Sequence, residues 1–193
     1  MMVKICGITN REDALAAVEA GASAIGFNFY RDSPRYISPT GAAMIAEKIP
    51  DSVWKVGVFV DEMSETIAKI ALDAGLDVAQ LHGLSEARGL RIWRAVAAGT
   101  PPPEELAEPA EAFVIDTPSQ ELRGGTGKTW NWAEARRYQG KIILAGGLDA
   151  NNVRQAIEEA QPWGVDACSR LEKSPGVKDH EKMKDFVKAA LSA

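Results

Sequence analysis

Short apolar runs alternate with helix-periodic stretches along most of the chain. VKICGI (3–8), AIGFNF (24–29), VWKVGVFV (53–60) and VAQLHG (78–83) have the length and branched or aromatic content of strands. RIWRAVA (91–97), AFVIDT (112–117), KIILAGG (141–147) and GVDACS (164–169) bring the total to eight. Between them, REDALAAVEAG (11–21) carries acids early and ends on glycine, the polarity expected of a helix. PTGAAMIAEKI, SETIAKIALDAG and NNVRQAIEEA read the same way, with Asn151 or Asn152 placed to cap the last of them. In the closing DHEKMKDFVKAALSA, Met183, Phe186, Val187, Ala190 and Leu191 keep helical spacing. Two connectors, SEARGL (85–90) and PPPEELAEP (101–109), leave little room for full helices, and the proline run reads as a rigid spacer.

Eight such units, with strand runs too apolar to leave one face wet, predict a parallel sheet covered by helices. The expected architecture is α/β: one (β/α)8 TIM barrel spanning residues 1–193, with tight loops because each repeat is only about 20–30 residues long. An open doubly wound sheet is the structural alternative. No linker divides the chain.

Composition narrows the function classes. At 46% hydrophobic and 25% charged residues, the 193-residue chain is ordinary for a single globular domain. A formal net charge of -5 with no basic stripe argues against nucleic acid and anionic membranes as partners. The start, MMVKICGIT, lacks a secretory pattern, and no apolar run approaches the ~18 residues of a membrane span. Two cysteines make neither a disulfide framework nor a CxxC pair, and two histidines offer little for a metal. The expectation is a reduced, cytoplasmic, metal-free protein.

In a barrel of this kind the C-terminal strand ends carry the chemistry. Those ends supply Cys6, Asn28, His82, Arg94, Asp116 and Ser169, and polar groups in an apolar frame are costly unless used. Each has a plain reading beside a chemical one. Cys6 is a small buried hydrophobe or, with Lys4 nearby, a reactive thiolate. Asp116 caps the next segment or transfers a proton. Arg35, in YRDSPRYIS, is a solvated surface group or a planar clamp for a carboxylate. RGGTGKT (123–129) fails as a nucleotide loop, since Leu122 stands where glycine is needed, and fails as a dinucleotide fingerprint at Trp130. Gly124 and Gly125 are then a turn or a loop able to close over a ligand. Gly146 and Gly147 sit where a phosphate is usually bound in these barrels, and their amides can approach an anion closely.

KICGIT, GFNFYRDSPRYIS, KVGVFV, QLHG, GGTGKT, ILAGGL, GVDACS and SPGVKD, in that order, resemble the phosphoribosylanthranilate isomerase family of tryptophan biosynthesis over essentially the whole chain. The resemblance implies a (β/α)8 barrel and an Amadori rearrangement of N-(5-phosphoribosyl)anthranilate to 1-(2-carboxyphenylamino)-1-deoxyribulose 5-phosphate, with no cofactor. By the same resemblance Asp116 is the general acid, Cys6 the general base and Arg35 the holder of the anthranilate carboxylate. The ends of strands seven and eight hold the phosphate, with Gly146, Gly147 and Ser169 as contacts; His82, Gly124, Gly125 and Asp166 complete the expected substrate site. Arg170 departs from the small residue usual after Ser169, and either adds a positive contact to phosphate or turns toward Glu172. The partner is a small phosphosugar, and the chain is a monomer or homodimer. Strand parity also turns Cys168 inward beside Cys6, close enough for oxidation to bridge them. Two rivals stand beside this reading. A histidine-pathway aminoaldose isomerase would carry aspartate where Cys6 stands, and a non-catalytic phosphosugar-binding barrel would not need Cys6 and Asp116 together.

Overall fold

The computed structural model describes residues 1–102, 109–117 and 130–193. Eight parallel strands close a barrel in sequence order. They are β1 (Met2–Cys6), β2 (Ala24–Asn28), β3 (Trp54–Val60), β4 (Val78–His82), β5 (Arg91–Ala97), β6 (Ala112–Asp116), β7 (Lys141–Leu144) and β8 (Gly164–Ala167). The closed barrel excludes the open doubly wound alternative. β1 closes it against β8, with Lys4 opposite Asp166 and Ile5 opposite Ala167.

Period-two alternation sorts the strand residues into two cores. Met2, Ala24, Val56, Val78, Trp93, Val114 and Ile143 fill the barrel. Val3, Ile5, Ile25, Phe27 and Leu81 point outward and pack under the helices. Those helices are α1 (Arg11–Ala20), α2 (Pro39–Ala46), α3 (Ser64–Ala74), α4 (Val153–Ala160) and α5 (His180–Leu191). Asn10, Ser38 and Asp179 cap α1, α2 and α5 with side-chain oxygens, and Gly21 ends α1 at φ 98°, a left-handed turn suited to glycine. Asn152 precedes α4 but does not cap it. Its amide instead accepts from the Asp149 N–H and donates to the Gly147 carbonyl, bracing the loop after β7. Among the described residues, no helix is long and apolar enough to cross a membrane.

From Gly83 to Leu90 the chain makes turns and bends rather than a helix, as the short connector implied. Three other features differ from expectation, the first at Arg94. Arg94 holds this connection, donating to the carbonyls of Gly83 at 3.1 Å and Ser85 at 2.9 Å. It is therefore not a rim residue: Trp93 points into the barrel, so its neighbour must point out. Second, β7 and β8 stop short of the predicted strands, leaving Gly146, Gly147 and Ser169 in the loops just beyond. Third, a small antiparallel hairpin, β9 (Glu172–Ser174) with β10 (Val177–Lys178), follows β8.

The N-terminal end of the barrel is plugged by aromatics. Trp93 lies 5.7 Å from Trp54 and 6.1 Å from Trp163 between ring centres. Arg91 covers the Trp54 ring at 4.7 Å and Lys141 the Trp163 ring at 4.8 Å. All polar chemistry of the interior is thereby left to the opposite mouth.

Candidate active site

At that mouth one pocket is lined by Cys6, Asn28, Arg35, Gln80, His82, Asp116, Asp166 and Cys168. The strands deliver these groups from around the barrel, so residues 162 positions apart become neighbours. Lys4 Nζ lies 2.9 Å from Asp166 Oδ2, with the lysine fully buried. Burial pulls the Lys4 ammonium toward neutrality, but Asp166 and Cys6 beside it more than offset that, and its pKa ends above the ordinary lysine value. Burial pushes the Asp166 carboxyl up to about 7 against the pull of Lys4. Lys4 thus stays charged, and Asp166 is the member of the pair that changes state near neutral pH.

Replacing Lys4 by Met strands that carboxylate. Breaking a buried pair from one side costs about 3–5 kcal/mol. Urea unfolding of Lys4→Met should show a loss of this size at pH 8 and a smaller one at pH 6, where Asp166 takes a proton. Adding Asp166→Asn should recover part of it. An equal loss at both pH values would speak against an uncompensated charge as the cause.

Cys6 sits above Lys4 on the same inward face. Its thiol is held well below the ordinary cysteine value, first by a hydrogen bond from Cys168 and then by Lys4, against the opposing effect of burial. Cys168 is correspondingly pushed well above it by the same contact and by burial. Of the two sulfurs, Cys6 is the one whose negative form is favoured. Asp116, on β6, shifts the other way. Burial raises its carboxyl to about 6, although the Thr117 N–H donates to Oδ1 at 2.7 Å. A sulfur favoured in its negative form and a protonation-prone carboxyl therefore face one cavity.

The loop after β2 folds back on its own strand. Asn28 Oδ1 accepts from the Tyr30 N–H, while Ser33 Oγ accepts from Asn28 Nδ2 and the Arg35 N–H. This delivers Arg35 to the rim, where its Nε and Nη2 form a fork on Glu172 at 2.9 and 2.8 Å. Glu172 also receives Lys178 Nζ at 2.9 Å, and that ammonium reaches Cys168 Sγ at 3.7 Å. Burial tends to raise the Glu172 pKa, but Arg35 and Lys178 hold it below the ordinary glutamate value. The hairpin thus ties the arginine to the cysteine pair.

A second recess adjoins the first between β7 and β8, lined by Gly146, Gly147, Ser169 and Arg170 with Asp116 and Asp166 at its inner wall. Gly146 takes φ 90°, and a side chain there would strike Thr117 and approach Asp116 Oδ1 to 2.9 Å. Only glycine lets the end of β7 close up against the end of β6. Arg170 pairs with Asp149 at 2.7 Å, not with Glu172, whose oxygens are taken by Arg35 and Lys178. Gly124 and Gly125 lie outside the described residues.

Four residues that matter here were not singled out from the sequence as site residues: Lys4, Gln80, Glu172 and Lys178. Gln80 is buried, its Nε2 3.5 Å from His82 Nε2, and its Oε1 has no hydrogen-bond partner among the described residues; the same holds for Asp166 Oδ1. Gln80 shares the parity of His82 in QLHG, a signal that was available. Glu172 and Lys178 depend on a hairpin that no periodicity announces.

The relationships of the chain agree with this geometry. The family described as N-(5'-phosphoribosyl)anthranilate (PRA) isomerase matches residues 3–189. A relative from Solibacter usitatus (strain Ellin6076), named N-(5'-phosphoribosyl)anthranilate isomerase, is 50% identical over 202 residues, covering 100% of this chain and 98% of its own. The crystal structure of phosphoribosyl anthranilate isomerase from Thermotoga maritima superposes with a TM-score of 0.85 at 37% identity, covering 100% of both chains. A phosphoribosyl anthranilate isomerase in complex with reduced 1-(o-carboxyphenylamino)-1-deoxyribulose 5-phosphate superposes at 0.81 with 34% identity, again covering 100% of both chains. A pocket at the C-terminal mouth, a glycine-bounded recess beside it and matches of this length and identity lead to one conclusion: the chain belongs to the N-(5'-phosphoribosyl)anthranilate isomerase family.

Proposed function

We propose that Cys6 and Asp116 carry out the Amadori rearrangement by which this isomerase of tryptophan biosynthesis converts N-(5-phosphoribosyl)anthranilate into 1-(2-carboxyphenylamino)-1-deoxyribulose 5-phosphate. The observation that carries this assignment is the opposite tuning of two groups in one cavity. The Cys6 thiol is lowered well below the ordinary cysteine value and Asp116 is raised toward its acid form. Asp116 protonates the ribose ring oxygen, and the ring opens to a protonated Schiff base. That iminium acidifies the proton on C2, which the Cys6 thiolate removes. The resulting enolamine tautomerises to the ketone.

Binding places the substrate across this pair. The phosphate occupies the recess bounded by Gly146, Gly147, Ser169 and Arg170. The anthranilate ring lies toward the loop after β2, where Arg35 meets its carboxylate while Glu172 holds the guanidinium in plane. Asp166 Oδ1 and Gln80 Oε1, buried acceptors without donors among the described residues, take hydrogen bonds from the ribose hydroxyls or the bridging amine. His82 lines the same wall.

The test is conversion of N-(5-phosphoribosyl)anthranilate by the purified chain, followed chromatographically and run in parallel with the histidine-pathway aminoaldose. Turnover of the first substrate well above that of the second is expected. Turnover confined to the second would instead favour the histidine-pathway reading, and ligand binding with turnover of neither would favour a binding protein.

A further inference from the structure

Cys168 has no part in the proton transfers just described, yet it is built against the one sulfur that does. β1 and β8 run parallel in register from Met2 opposite Gly164 to Ile5 opposite Ala167, which leaves Cys6 at the end of β1 beside Cys168, the first residue past β8. Adjacent strands lie about 4.7–4.9 Å apart, so a pair just past a ladder's end starts near the ~4.4–6.8 Å Cα range that a disulfide spans. Each cysteine acts on the other's titration, lowering that of Cys6 and raising that of Cys168. Glycines make room for both sulfurs. A Cβ at Gly26 would come within 2.9 Å of Cys6 Sγ, and one at Gly7 within 2.9 Å of Cys168 Sγ. Both thiols are partly exposed and line the open pocket. Lys4 and Lys178 flank them with positive charge, the setting in which a thiolate persists and reacts with peroxide.

We propose that Cys6 and Cys168 form a peroxide-reactive dithiol, in which Cys6 is the attacked sulfur and Cys168 resolves it to a disulfide that reversibly switches the isomerase off. The switching rests on the reading of Cys6 as the base; the dithiol chemistry does not. The Cys6 thiolate attacks one peroxide oxygen, forming an S–O bond and breaking the O–O bond. Sulfur gives up two electrons, and the departing hydroxide takes a proton and leaves as water. The sulfur of Cys168, losing its proton, then displaces the hydroxyl of the Cys6 sulfenic acid. The S–S bond forms as the S–O bond breaks, and a second water leaves. A dithiol reductant reverses the bridge by exchange. Without a resolving thiol the sulfenic acid passes on to sulfinic acid, which such a reductant does not restore.

The experiment treats the reduced chain with hydrogen peroxide and follows intact mass, a non-reducing peptide map and turnover. The wild type should lose the mass of two hydrogens, join the Cys6 and Cys168 peptides, lose most of its turnover and recover it with dithiothreitol. Cys168→Ser, scaled to its own starting rate, should gain oxygen instead and recover far less. A wild type that gains oxygen without the joined peptide overturns the proposal, as does equal recovery in the two proteins. A joined, two-hydrogen-lighter protein with undiminished turnover overturns the switch and, separately, removes Cys6 as the base.

Discussion

Cys6→Ser should lower kcat by about 10²–10⁴-fold, the range set by a positioned general base, while KM stays within a few-fold of the wild type. Serine nearly matches cysteine in size, so the glycine-lined space around Sγ is kept and the contacts proposed for phosphate and carboxylate should be untouched. What is lost is a group deprotonated near neutral pH. Lys4, Lys178 and the Cys168 thiol are arranged to keep a negative sulfur, and a serine hydroxyl titrates too high for them to compensate. Steady-state kinetics at saturating substrate decide it. A variant that retains wild-type kcat removes the thiolate from the mechanism, and a change confined to KM assigns Cys6 to binding instead.

Asp116→Asn should be comparably inactive and, at the same time, more stable. Asparagine keeps the oxygen that accepts from the Thr117 N–H but has no proton of comparable acidity to give the ring oxygen. The stability change follows from linkage. The Asp116 carboxyl titrates at about 6 in the fold and at 3.8 as an ordinary aspartate. Between those values the folded chain keeps a proton that the unfolded chain has released. Stability therefore falls as pH rises through this window and stays lower above it. Removing the carboxylate should return about 1–3 kcal/mol at pH 8 and almost nothing near pH 4. Thermal unfolding of both proteins at the two pH values is the check; a gain that does not depend on pH would assign it to packing. In the wild type the same carboxyl should give kcat/KM a descending limb near pH 6.

The mouth of this barrel was legible in the sequence to the extent that its groups sit on strands with clear parity. Cys6, His82, Asp116 and Asp166 fall at or near strand ends, and alternation alone turns them inward. Lys4 obeys the same parity and reads in the sequence as a charge near Cys6; its pairing with Asp166 comes only from the β1–β8 register. Arg94 misled for the complementary reason, a polar residue near a strand end whose parity places it outside. Arg35 was read as a candidate clamp, yet the carboxylate that orients it comes from 137 residues further on, in a hairpin held by turn geometry and tertiary pairing. Local pattern carries the faces of elements; it does not carry contacts between loops distant in sequence.

The tryptophans are distributed so that the molecule carries two separate optical reporters. Trp54, Trp93 and Trp163 cluster in tilted and edge-on contacts at the sealed end, opposite the pocket. Trp130 stands at the working end, its indole N–H donating to the Ala145 carbonyl at 3.0 Å, next to Gly146. Emission from the first group and from buried Trp132 should track global melting, while quenching at Trp130 should track occupation of the recess proposed for the phosphate. With Trp130→Phe as the control, binding and unfolding become separable signals in one cuvette, without an added dye.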